Sequence, residues 1–185
     1  MKTKILPVVV AFAAVVVLAA ALFYLSRSPY GQSGYVATTT TVPAAPGACE
    51  NLQVGVDATL QASTYFRYGL PNTALQGNVF EILRMTVTNQ AGTTLDFSGY
   101  TMSLTAGGKN YTVFTFFDIE RITPVGRTDV GYPCNELALA SSSRLVLSAG
   151  QEASGCKMFQ IPQDARPDAL SLYDSSGMKL CTIPL

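Results

Sequence analysis

Between Asn78 and Thr115 the chain alternates in a way that only an extended backbone uses. In Val79-Phe80-Glu81-Ile82-Leu83-Arg84-Met85-Thr86-Val87-Thr88-Asn89, Leu83, Met85 and Val87 fall on one face and Arg84, Thr86 and Thr88 on the other. A period of two marks a half-buried β-strand, because successive side chains leave the backbone on opposite sides. Gln90-Ala91-Gly92 breaks this strand, and Tyr100-Thr101-Met102-Ser103-Leu104 alternates again. Ala106-Gly107-Gly108-Lys109 then turns the chain into Tyr111-Thr112-Val113-Phe114. Glycines there accept the positive φ that a tight hairpin needs. The stretch predicts an antiparallel β-unit.

The flanks extend the same reading. Leu52 to Leu60 alternates cleanly and predicts a strand with Leu52, Val54, Val56, Ala58 and Leu60 facing the core. Tyr65-Phe66-Arg67-Tyr68 continues or bulges that strand, and Gly69-Leu70-Pro71-Asn72 reads as a turn. From Asp118 to Ser143 the pattern weakens, and Pro124, Gly126, Gly131 and Pro133 predict a long connection. Long connections in compact domains are uncommon and often functional. Arg144 to Leu147 and Gly155 to Pro162 read as strands, with Phe159 and Ile161 opposite Met158 and Gln160. Leu170 to Tyr173 and Met178 to Ile183 form a closing hairpin across Asp174-Ser175-Ser176-Gly177. About seven to nine short strands without a helix predict an all-β fold, an antiparallel β-sandwich.

In front of this domain stands an apolar leader. Lys2 and Lys4 precede Ile5 to Leu25, which carries no charge and places Pro7 in the first turn, where a helix tolerates it. At about 1.5 Å per residue the segment just crosses a bilayer core, and it is longer than the core of a secretory signal. It predicts a transmembrane signal anchor over residues 1–25, the alternative being a signal peptide cleaved near Ala19-Ala20-Ala21. No cysteine follows the apolar run directly, which excludes the bacterial lipoprotein route. The two lysines before the span, against Arg27 after it, put the amino terminus in the cytoplasm and the domain outside. Residues 26–50, with Thr38 to Thr41 and Val42-Pro43-Ala44-Ala45-Pro46-Gly47, read as a stiffened stalk, and residues 51–185 as one folded domain.

Three motifs carry a resemblance. They are Thr88-Asn89 with Gly92 after it, the Leu104 to Tyr111 hairpin on Gly107-Gly108-Lys109, and Leu147-Ser148-Ala149-Gly150-Gln151-Glu152-Ala153-Ser154-Gly155 leading into Phe159-Gln160-Ile161-Pro162. In order and spacing they resemble the telokin-like, immunoglobulin-like extracellular domain family of unknown function, found in bacterial lipoproteins and archaeal surface proteins. The resemblance covers about Leu52 to Leu185 and implies an immunoglobulin-like sandwich. It brings no catalytic residue with it. Lys157 departs from the pattern, since the family's strand is usually apolar there, and leaves open which face of that strand is buried.

The residue inventory narrows the chemistry. The chain has no histidine, which removes Ser-His-Asp and Cys-His catalysis and every His-ligated zinc site. No catalytic residue, metal site or cofactor is expected. Asp118-Ile119-Glu120 sets two carboxylates on one strand face, the minimal start of a calcium site, but no loop has the oxygen-ligand spacing such a site needs. Twelve basic residues balance twelve acidic ones without a patch, so nucleic acid is not an expected partner.

Cys49, Cys134, Cys156 and Cys181 contain no Cys-x-x-Cys pair, and beyond an export segment they predict two disulfides. Of three pairings, a meander that puts Leu170 to Tyr173 between Cys156 and Cys181 argues against joining those two. The reading leans to Cys49 with Cys181 and Cys134 with Cys156. Asn110-Tyr111-Thr112 is a sequon for N-glycosylation on a hairpin edge. Among the tyrosines, Tyr132 stands in the long connection, so Asp118, Glu120 and Tyr132 are the candidate binding residues.

The expected function is that of a non-enzymatic, membrane-anchored extracytoplasmic module that binds a surface protein or glycan, and that is secreted if the leader is cleaved. One alternative is the self-associating subunit of an extracellular filament, pilin-like or strand-donating. A weaker one is a hydrolase built on a carboxylate pair.

Overall fold

A computed structural model describes residues 47–49, 51–116, 118–139 and 144–185. All of them fall in the second of two compact units, Ala37–Leu185. The anchor expected at Ile5 to Leu25 and the Thr/Pro-rich part of the stalk lie outside the described residues. Among the described residues, no helix is long and apolar enough to cross a membrane.

The described chain is all-β and antiparallel. Its strands are β1 (Gly47–Cys49), β2 (Leu52–Arg67), β3 (Leu70–Thr73), β4 (Asn78–Asn89), β5 (Leu95–Asp96), β6 (Thr101–Ala106) and β7 (Lys109–Phe114). They continue as β8 (Asp118–Pro124), β9 (Val130–Asn135), β10 (Val146–Leu147), β11 (Glu152–Pro162), β12 (Pro167–Tyr173) and β13 (Lys179–Pro184). The count exceeds the seven to nine expected because several strands are only two to four residues long, too short to show a period. The main sheet runs β13-β12-β6-β7-β11-β4-β2-β8-β9, with β1 and β3 also paired to β2, while β5 and β10 form a separate ribbon. β11 therefore lies between β4 and the β6–β7 hairpin, so the alternating stretches Val79 to Asn89 and Tyr100 to Leu104 are not neighbours.

One core is shared by both halves of this sheet. Leu83, Met85 and Val87 of β4 and Phe159 and Ile161 of β11 pack with Met102 and Leu104 of β6, Leu170 and Leu172 of β12, and Ile183 of β13. Two strand runs that touch through one apolar layer must curl toward each other. A second core covers the opposite face of β4 and β11, where Phe80, Ile82 and Met158 meet Phe116, Ile119 and Ile122. Leu83, Met85 and Val87 share their face as alternation demands.

β2 serves both cores by changing sides. Its ladder with β4 shifts between Val56 and Ala58, leaving Asp57 as an extra residue. A bulge reverses the alternation after it. Leu52, Val54 and Val56 accordingly enter the first core, whereas Ala58 and Leu60 are only partly buried and Leu60 packs against the second. The expectation that all five share one face is corrected by that bulge.

The connection expected from Asp118 to Ser143 is also corrected, since it holds β8 and β9. Two features hid them. The β8–β9 ladder shifts between Ile119 and Arg121, and β9 is the outermost strand of the sheet, where Pro133 can sit without breaking an inner ladder.

After β9 the chain crosses β11. Leu137 N donates to Cys156 O at 2.9 Å, and a Cβ added at Gly155 would meet Leu137 N at 2.8 Å and Asn135 O at 2.9 Å. Only glycine admits so close a passage. The crossing also buries Lys157, whose Nζ donates to Glu136 Oε1 at 3.1 Å. The face left open at Lys157 is thus resolved: Cys156, Lys157, Met158 and Phe159 are all buried, so β11 is covered on both sides. Cys134 is bonded to Cys156 beside this crossing, and Cys49 to Cys181, which joins β1 to the far strand β13.

Candidate functional site

Past Ala62, β2 leaves β4 and continues between β3 and β8. Four strands, β3, β2, β8 and β9, thus lie side by side at one end of the sheet. Their base is aromatic: Tyr65 meets Phe80 edge-on at 5.2 Å and lies 6.5 Å from Phe116. Their tip is a hairpin in which Arg67 pairs with Leu70, leaving Tyr68 and Gly69 as the turn. The turn lies one residue before the position expected from Gly69-Leu70-Pro71-Asn72, and Leu70 and Pro71 belong to β3 instead.

Two carboxylates of β8 hold this tip. Glu120 accepts the Tyr68 amide on Oε1 at 2.6 Å and the Gly69 amide on Oε2 at 3.0 Å. Asp118 accepts from Arg67 Nε at 3.2 Å. Arg67 in turn sits 4.8 Å from the Tyr68 ring centre, and Arg121 lies 4.0 Å above the Phe66 ring. The amides of a turn converge on one point and form a natural seat for a negative charge. Tyr68 is held there at φ +50°, a left-handed conformation that a bulky side chain avoids. Tyr68 is 71% exposed, and Leu70 beside it is 67% exposed. A large aromatic fixed in a strained turn and turned to solvent adds nothing to a core.

The expected site residues therefore separate. Asp118 and Glu120 come together, but as supports of a hairpin rather than as open cation ligands. Tyr132 stands on β9, beside the Ile119–Arg121 step of β8, but is half-buried against the second core with Arg84 5.8 Å from its ring. Asn110 lies on β7, exposed, with Oδ1 accepting from Thr105 Oγ1 at 2.8 Å. It lines an open groove of about 650 Å³ between β7 and the chain from Asn72 to Leu75.

Sequence reasoning counted Tyr68 among the tyrosines that could line a binding surface without singling it out, and missed Leu70, since an aromatic followed by glycine between two strands looks like any strand end. It also passed over Glu81. This carboxyl is 2% exposed on the inward face of β4, Gln61 across the ladder is its hydrogen-bond partner, and Oε2 has none among the described residues. Burial pushes its pKa up to about 7.

No family model matches the chain, and no curated protein matches it. Among solved structures, it is similar to a candidate lipoprotein (ycdA) of Bacillus subtilis subsp. subtilis str. 168, at a TM-score of 0.44 and 10% identity. That match covers 76% of this chain and 38% of the other, so the chain spans under half of that protein's length. It is also similar to a conserved hypothetical protein of Bacillus anthracis, at a TM-score of 0.40 and 12% identity over 71% of this chain and 87% of that one. Likenesses at this level carry no argument about function, and the telokin-like resemblance rests on the motifs named for it.

Proposed function

We propose that the chain is a non-enzymatic binding module with an immunoglobulin-like sandwich, held outside the cytoplasm by its apolar leader. It recognises another surface protein through the β2–β3 tip. Two disulfides support the compartment, because such bonds persist in oxidising surroundings. The tip itself is the observation that carries the recognition. Tyrosine offers a large, stiff contact surface that is apolar on its faces and polar at its end, and such side chains dominate protein interfaces. Glu120, Asp118 and Arg67 fix Tyr68 before any partner arrives, which lowers the ordering cost of binding.

The test compares the purified domain and its Tyr68→Asn variant for binding to envelopes isolated from the cells of origin. Asparagine suits the turn, so the fold is kept while the ring is lost. Affinity is expected to fall by about 30-fold, the loss associated with an interface hot spot. Equal binding by the two proteins would contradict the assignment.

A further inference from the structure

We propose that the groove between β7 and the chain from Asn72 to Leu75 is the cradle of a saccharide carried on Asn110. The inference rests on the extracytoplasmic placement argued above, because attachment of such a sugar follows export.

The groove exists because a ladder stops early. β7 pairs with β11 only at Phe114 with Met158 and Val113 with Phe159, so the strands part where Thr112 would have met Gln160. By the alternation of an extended chain, Asn110, Thr112 and Phe114 point to the face that bears Phe80 and Gln160. Both members of the sequon that matter, the asparagine and the threonine hydroxyl, therefore stand in the groove wall.

The attachment atom is available. The Thr105 hydroxyl takes Asn110 Oδ1, which leaves the amide nitrogen Nδ2 turned away from that bond. The donor would be a polyprenyl-phosphate- or diphosphate-linked saccharide. A bond forms between Nδ2 and sugar C1, the C1–O bond to phosphate breaks, the phosphate leaves with the electron pair, and Nδ2 gives up one proton.

The lining suits a neutral sugar once it is attached. Asn72 and Gln160 offer amides that donate and accept, and Thr73 and Thr112 offer hydroxyls. None of the described residues that line the groove is charged. Leu75 is 68% exposed and Phe114 37% exposed, and both would be covered by the apolar face of a sugar ring. The volume of about 650 Å³ lies within the range of small-ligand sites.

Protein purified from its own cells is analysed by intact mass and peptide mapping, together with Thr112→Ser, which keeps the sequon, and Thr112→Val, which removes it. The expected result is a saccharide on Asn110 in the native protein and Thr112→Ser, absent from Thr112→Val. Amide hydrogen exchange at residues 72–75 and 110–114 should be several-fold faster in Thr112→Val. An unmodified Asn110, or a sugar whose loss leaves exchange in these segments unchanged, overturns the inference. A parallel count of free thiols separates the two readings. An unmodified Asn110 with both disulfides formed removes the cradle alone, whereas four free thiols remove the extracytoplasmic placement as well.

Discussion

Tyr68 occupies the position of the β2–β3 turn that asparagine or glycine usually fills, and a bulky side chain without asparagine's local hydrogen bond costs about 1–2 kcal/mol in that conformation. Tyr68→Asn should thus stabilise the domain by about 1 kcal/mol in urea unfolding while it weakens binding. A destabilised variant would show that the ring contributes to the fold rather than to recognition. Glu81 gives the residue scale its pH dependence. Its carboxyl titrates near 4.5 when unfolded and near 7 when folded, so the folded state holds the proton more tightly. The stability linked to it is full below pH 4.5 and is lost as pH rises through about 7, a fall of about 3 kcal/mol. Glu81→Gln keeps the shape and the contact to Gln61 without the charge, and should flatten the dependence of unfolding free energy on pH across that window. An unchanged slope would mean that Glu81 is not the group responsible.

At the scale of elements, the crossing of the chain over β11 is the least forgiving joint. Gly155→Ala forces a methyl against Leu137 N and Asn135 O, backbone atoms that cannot swing aside, and should cost about 1–3 kcal/mol. The ion pair beneath it behaves differently. Glu136→Ala removes a carboxylate from the buried Lys157 ammonium and should cost about 3–5 kcal/mol, whereas Glu136→Leu with Lys157→Met should recover most of the loss. Thermal unfolding of the single and double variants decides between a pair that is needed for itself and one that is needed only in balance. Elements of this molecule were legible where one face is buried along the whole strand, as for Leu83, Met85 and Val87 of β4. They were illegible where a bulge resets the period. Asp57 hid the change of sides in β2, and the shift after Ile119, together with Pro133 on an edge strand, hid β8 and β9. Asp118 and Glu120 were visible as a carboxylate pair, but their partners are backbone amides and Arg67 more than fifty residues away, which no local pattern encodes.

For the whole molecule the disulfides set the connectivity between distant parts. Cys49 and Cys181 are 132 residues apart in sequence, and Cys134 and Cys156 only 22. If cross-links act by restricting the unfolded chain, removing the first pair costs about 5 kcal/mol and removing the second about 3 kcal/mol. Paired serine variants compared by urea unfolding test the ranking, and a larger loss from the shorter loop would point to the crossing at β11 as the stronger constraint. Which end of the molecule meets a partner is tested most directly by site-directed photo-crosslinking of the full-length chain in its own cells. A photoreactive side chain is placed at Leu70, with Met178 on the β12–β13 turn as the control, since the two are 67% and 61% exposed. The account predicts a discrete adduct from position 70 that disappears when Tyr68→Asn is added. Equal adducts from position 178, or an adduct at 70 that survives the loss of Tyr68, would contradict it.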